Sequence, residues 1–311
     1  MPIPRRAGRF PSARPSRVPR RRPAPGTRPP LRAALVLLAA PLVLAGCART
    51  PEDIAPAENP PEVSAEVRGL RVPLDDFMLS RLDIQTIEYA EDLLTRACMR
   101  GSGFGWEMLP PPARTDTDPL HRRRYGVIEP EVAGRYGYHL PPLAPDQRAR
   151  EQVWRRRDTL PPAERRAAYG HGGCRDNART RLAEGVPKLD RQRLNGFIGG
   201  TFEASQRVPA VVEVFGAWSR CMKAKGFTYG MPLDAAADPA WTRSAQAAPQ
   251  EIAVAEADVG CKRKTDLVAV WSSAESKVQL DAIATHRADF DRFRQARDAE
   301  LRAAEQVIGN A

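Results

Sequence analysis

Four cysteines, Cys98, Cys174, Cys221 and Cys261, carry most of the chemistry this chain could perform, and a fifth, Cys47, stands near its start. An even set of thiols can oxidise to two disulfides or, as thiolates, hold zinc. A zinc site would draw on His171-x-x-Cys174 together with Cys98 and His121. The related segment before Cys261 argues against it, with Asp258 where His171 stands and nothing in place of His121. No metal and no cofactor is expected. Catalysis finds little support either. There is no Gly-x-Ser-x-Gly elbow, no Gly-rich phosphate loop and no His-Glu-x-x-His helix. His121, His139, His171 and His286 fall in predicted loops or on a charged helix face, and pairs such as Asp75-Asp76 read as solvated. No catalytic residue is assigned.

The fifth cysteine has a different setting. Ala33 to Leu44 is an uncharged apolar run of twelve residues behind an Arg- and Pro-rich stretch. It is too short to cross a bilayer, which takes about 20 apolar residues, and has the length of a signal-peptide core. Leu44-Ala45-Gly46-Cys47 follows at once. This pattern resembles the lipobox of bacterial lipoproteins, with Leu44, Ala45 and Gly46 ahead of the modified Cys47. The resemblance covers residues 1–47 and implies a diacylglycerol on the Cys47 thiol, cleavage before it, and often acylation of the new amino terminus. Two acyl chains hold a protein firmly to a membrane, where one binds only marginally. Together with the Arg, Ala and Pro bias of a high-GC genome, the chain resembles the lipoproteins without known activity of actinobacteria. That implies the outer face of the cytoplasmic membrane, where thiols oxidise.

The formal charge of +10 invites a nucleic-acid reading, which fails on its distribution. Residues 1–46 hold ten arginines and no acidic residue, leaving 38 basic against 38 acidic residues beyond them. The expected partners are the membrane, through Cys47, and an envelope protein or wall polymer, with no nucleic acid.

The cysteines need elements to position them. Leu82, Ile87, Leu94 and Cys98 recur at helical spacing between Leu79 and Met99, as do Val211, Val214, Phe215, Trp218 and Met222 in Val211–Met222. Both runs end alike, Cys98-Met99-Arg100-Gly101-Ser102-Gly103-Phe104-Gly105-Trp106 and Cys221-Met222-Lys223-Ala224-Lys225-Gly226-Phe227-Thr228-Tyr229. Pro162-x-Glu164 stands before Cys174 at the same offset as Pro249-x-Glu251 before Cys261. This is an internal repeat. Each copy predicts one helix capped by Gly103 or Gly226 with the next Phe packing back, and a second begun at Pro with its cysteine about three turns on. The symmetry of the copies pairs Cys98 with Cys174 and Cys221 with Cys261.

The first copy carries a Pro-, Arg- and Tyr-rich insert over about residues 107–160. It contains Arg124-Tyr125-Gly126 and Arg135-Tyr136-Gly137-Tyr138 and ends in Trp154-Arg155-Arg156-Arg157. Tyrosine and arginine are enriched at interfaces, so Tyr125, Arg135, Tyr136, Tyr138 and Trp154 are the candidate binding residues, against the favoured alternative of a surface loop whose tyrosines cover the core. The expected organisation is a leader over 1–46, an extended tether over 47–73, a helical module over 74–200 and a second over 201–311. Residues 180–200 read as a linker with a short helix, closing on Gly199-Gly200. After Cys261 the pattern predicts one long amphipathic helix to about Val307. The fold class is mainly α, two related disulfide-stapled helical modules plus a long C-terminal helix. The expected function is a non-enzymatic binding or structural role at the envelope. The alternatives are a wall hydrolase of unfamiliar type and a substrate-binding component of a transporter, whose two lobes would alternate strands and helices.

Overall fold

A computed structural model describes residues 59–311. The described residues form helices, turns and loops, with no strand among them. In chain order the helices are α1 (Ala65–Gly69), α2 (Arg81–Gly101), α3 (Pro130–Tyr136), α4 (Pro145–Asp158), α5 (Pro162–Tyr169) and α6 (Cys174–Leu182). They continue as α7 (Arg191–Ser205), α8 (Pro209–Ala224), α9 (Pro232–Ala236), α10 (Pro249–Lys264), α11 (Leu267–Thr285) and α12 (Arg287–Gly309). Six of them open on proline, whose missing N–H and fixed φ suit the first turn. The proline content that reads as loop therefore punctuates helices. Ser80 starts α2 with a capping box: its hydroxyl accepts from Asp83 N at 3.1 Å, and the Asp83 carboxylate accepts from Ser80 N at 2.8 Å.

The core centres on Trp271 of α11. Tyr125, Phe202 and Phe215 surround its ring with centroids 5.0, 5.3 and 4.9 Å away. Its indole N–H donates to Ser205 Oγ at 2.8 Å. Trp218, Met222, Val254 and Cys261 extend this cluster through α8 and α10. A second cluster joins Leu74, Phe77, Leu194, Phe290 and Phe293, tying the Pro73–Phe77 turn to α7 and α12. The two cysteine-stapled segments are not separate bodies. Helix α12 lies along α2, and α3 of the insert lies along α10, so residues from either side of position 200 share cores.

Both repeat helices end alike. Gly103 and Gly226 take φ of 81° and 90°, and Phe104 N and Phe227 N donate to Met99 O and Met222 O at 2.9 and 3.0 Å. The disulfides are Cys98–Cys174 and Cys221–Cys261. The copies diverge after that. Cys261 lies in the last turn of α10, whereas the matching helix of the first copy stops at Tyr169 and Cys174 opens α6. Gly170 and Gly173 make the break, since a Cβ on either would lie within 3 Å of backbone carbonyls.

Three further expectations are corrected. Residues 63–73 belong to the body rather than to a tether, because Val63 and Val67 are buried in the main core and Ser64 caps α1, and the expected tether up to residue 58 lies outside the described residues. The linker is confined to 183–190, and the helix after it, α7, is longer than expected and runs through Gly199-Gly200. Phe197, Ile198 and Phe202 pack there and outweigh a cost of about 1 kcal/mol per glycine. The apolar pattern after Cys261 is shared by two helices, α11 and the long C-terminal α12, which turn at His286 (φ −116°, ψ 34°).

Opening either disulfide should lower stability by about 4 kcal/mol, from the 76- and 40-residue separations. Denaturant unfolding of C98A/C174A and C221A/C261A checks this, and losses near zero in both would show that the staples constrain nothing.

Candidate functional site

Helix α10 is apolar or small around most of its circumference, with Val254, Ala255, Ala257, Val259 and Cys261 all buried. A helix of that kind belongs inside. Yet Glu251, Asp258 and Lys262 are buried on it too, at intervals of seven and four that place them along one side. Buried charges persist only when paired and hydrogen-bonded. Lys262 Nζ donates to Asp258 Oδ2 at 2.8 Å and to the Val127 carbonyl at 2.9 Å. Asp258 Oδ1 accepts from Trp218 Nε1 at 3.0 Å, and Oδ2 accepts from the Tyr138 hydroxyl at 3.2 Å. Burial pushes the Asp258 carboxyl up and the Lys262 ammonium down, each opposed by the other's charge. Burial, and then the Asp258 charge, push the Tyr138 phenol up. Glu251 Oε1 accepts from Tyr138 N at 2.7 Å, His139 N at 3.2 Å and His139 Nδ1 at 2.8 Å.

Two glycines let the insert reach these groups. Gly126 has φ +78°, and a Cβ there would lie 2.7 Å from Lys262 Nζ. Gly137 has φ +56°, and a Cβ there would lie 2.7 Å from Glu251 Oε1. Each Arg-Tyr-Gly motif thus ends on a glycine whose positive φ and close neighbour disfavour a side chain, Gly126 ahead of α3 and Gly137 at its C-terminal cap.

Three insert arginines, Arg122, Arg124 and Arg157, are spent inside the molecule, whereas Arg155 and Arg156 stay exposed. Arg124 forks onto Glu275 of α11, Nε lying 3.0 Å from each carboxylate oxygen, and Tyr125 donates its hydroxyl to Oε2 at 2.9 Å. Gln279 continues the network, donating to Glu275 at 2.7 Å and accepting from Leu74 N at 2.9 Å. Arg122 pairs with Glu129 at 2.7 Å, whose other oxygen accepts from Ser64 N at 2.9 Å. Arg157 pairs with Asp92 of α2. Its guanidinium lies 4.3 Å from the Trp106 ring centre and 4.7 Å from that of Trp154.

The candidate binding residues are therefore dispersed. Tyr125 is 1% exposed and bonded to Glu275. Tyr138 stacks on Trp241 at 5.9 Å and holds Asp258. Trp154 has the guanidiniums of Arg157 and Arg175 at 4.7 and 4.8 Å from its ring centre. Arg135 pairs with Glu131 at 2.9 Å and covers the Tyr136 ring at 5.2 Å. Leu44, Ala45, Gly46 and Cys47 lie outside the described residues. Sequence reasoning missed Glu251, Asp258, Lys262 and Glu275, which look like solvated charges. The available signal was the ring of apolar residues around α10.

Concave surface is present elsewhere. A recess of about 380 Å³ is lined by Asp75, Asp76, Asp83, Asp116, His121 and Arg297, among others. His121 is buried rather than in a solvated loop, its Nε2 2.6 Å from Asp75 Oδ1. Ser80, on the same wall, spends its hydroxyl capping α2 and is no free nucleophile. Cys98 and Cys174 are joined, so they offer zinc no thiolate, and no cluster of three or more His, Cys, Asp or Glu that could hold a metal occurs among the described residues. Comparison with protein-family models, curated proteins and solved structures finds no match.

Replacing Lys262 alone with Met should cost about 3–5 kcal/mol by stranding the Asp258 charge, and replacing both members with apolar residues should cost less than the single change. Denaturant titration of K262M and D258L/K262M tests this, and a double variant less stable than K262M would contradict it. The hydrogen bond to Glu251, aided by the Ser244 carbonyl, holds the His139 imidazole above its ordinary 6.5. A raised histidine contributes stability fully present below about pH 6.5 and lost as pH climbs through the folded-state value. Stability should therefore fall across that range in the native protein and less so in H139N, as read from unfolding midpoints at several pH values.

Proposed function

We propose that this protein is a lipid-anchored extracytoplasmic lipoprotein with a non-enzymatic binding or structural role at the cell envelope. The observation that carries the reading is Leu44-Ala45-Gly46-Cys47 immediately after a twelve-residue apolar core. The two disulfides support it, since such bonds persist in oxidising compartments. The described helices include none long and apolar enough to cross a membrane, so attachment falls to the Cys47 lipid in this account. The body, joined by many internal ion pairs and two disulfides, is what meets an envelope protein or wall polymer. A transporter substrate-binding component loses support, because its two-lobed architecture needs strands that the described residues lack.

One observation favours the hydrolase reading. Asp75, Asp76, Asp83 and Asp116 all line one recess, as a pair of acid–base carboxylates would. Three of them have structural duties: Asp75 holds His121, Asp83 caps α2, and Asp116 accepts from Asp118 N at 2.9 Å.

Intact-mass and peptide-mass analysis of membrane-extracted protein tests the anchor. The expected product begins at Cys47 and carries acyl chains, and an unmodified Cys47 would overturn the reading. Incubation with purified wall polymer should release no soluble fragments, and release abolished by D76N would favour the hydrolase instead.

A further inference from the structure

The chain enters the described body at Asn59, whose side-chain oxygen accepts from Arg148 Nη2 at 3.2 Å. The next residue, Pro60, lines the same shallow depression as Leu140, Pro141, Pro142 and Leu143. Leu140 is 77% exposed and Leu143 43% exposed. Scattered exposed leucines need no explanation, but two on one short loop beside two prolines form a patch.

This loop is braced from beneath. Arg123 donates from its two terminal nitrogens to the carbonyls of Tyr138 at 3.3 Å and His139 at 2.8 Å. The His139 ring is pinned between Glu251 at 2.8 Å and the Ser244 carbonyl at 3.0 Å. Arg148 also donates to the Leu143 carbonyl, and two consecutive prolines fix φ between the leucines. The ordering of the loop is thus supplied by internal bonds, and what it presents outward is apolar.

We propose that the Leu140–Leu143 loop is a membrane contact, the two leucines entering the interface of the bilayer that holds the lipid. This rests on the anchor reading. Cys47 and Asn59 are twelve residues apart, which spans at most about 40 Å. The chain's entry point, and with it the loop, stays within that distance of the bilayer. The charges lining the depression are already engaged: Asp118 with Arg81, Arg122 with Glu129, and Arg123 with the two carbonyls. They leave little net attraction for anionic lipid, so the contact is apolar and should form on zwitterionic membranes.

The test uses the mature lipidated protein reconstituted in phosphatidylcholine vesicles with ordinary or brominated acyl chains. L140W places an indole at the loop, and L280W places one at an exposed leucine on α11 as a control. The expected result is that brominated chains quench most of the emission added by L140W and little of that added by L280W. Equal emission from L140W in both vesicles overturns the contact, and a blue-shifted but unquenched L140W would mean that a second copy covers the loop instead. The mass of the same preparation separates the two claims. A lipidated Cys47 with no quenching sinks the contact alone, whereas an unlipidated Cys47 sinks the anchor and the contact with it.

Discussion

The buried pair of Asp258 and Lys262 constrains the whole fold. A charge moved from water into a protein interior costs several kcal/mol, recovered only when partners meet it in good geometry. Here the partners come from different parts of the chain: the Trp218 indole from α8, the Val127 carbonyl and the Tyr138 hydroxyl from the insert. Helix α10 cannot be buried without them, and α3, which rests on α10, has no core of its own without it. The disulfide reinforces this, since Cys221 lies three residues beyond Trp218 and Cys261 three beyond Asp258. One covalent and one polar link thus join α8 to α10 side by side. The same pattern recurs where Arg124 and Tyr125 meet Glu275. Satisfied buried networks of this kind favour one arrangement over near alternatives, because half-made versions are costly.

Much of the helical frame was legible from sequence, for physical reasons. An apolar stripe at three- and four-residue spacing announces α2 and α8, and a glycine followed by a phenylalanine announces their shared ending. The cysteine pairing followed from the match between the two copies. That tyrosines of the insert cover the core was legible, as Tyr125 does, but composition cannot distinguish an arginine in water from one forked onto a buried glutamate. The insert's many prolines look like loop until one sees that they open α3 and α4. The turn at His286 was hidden for a different reason: the apolar pattern runs on across it, and only the packing of α11 on α7 and α8 and of α12 on α2 shows that the direction changes. The first copy's broken helix had a visible cause in Gly170, Gly172 and Gly173, which the likeness to α10 outweighed.

The candidate site is where legibility was poorest. Aromatic and cationic residues close together in sequence look like a binding surface. In the fold Tyr125, Arg122, Arg124 and Arg157 face inward, and the exposed apolar residues of the insert include the less conspicuous Leu120, Leu140 and Leu143. What separates the two cases is whether a carboxylate elsewhere in the chain comes to meet each arginine, which local spacing does not encode.

The central claim is that the insert is part of the core rather than a loop upon it. Amide hydrogen exchange of the native protein, read by peptide mass, tests this most directly. The account predicts that amides of Tyr125–Tyr138 exchange as slowly as those of α10, and that both are released together as denaturant is raised. Fast exchange across Tyr125–Tyr138 while α10 remains protected would contradict it.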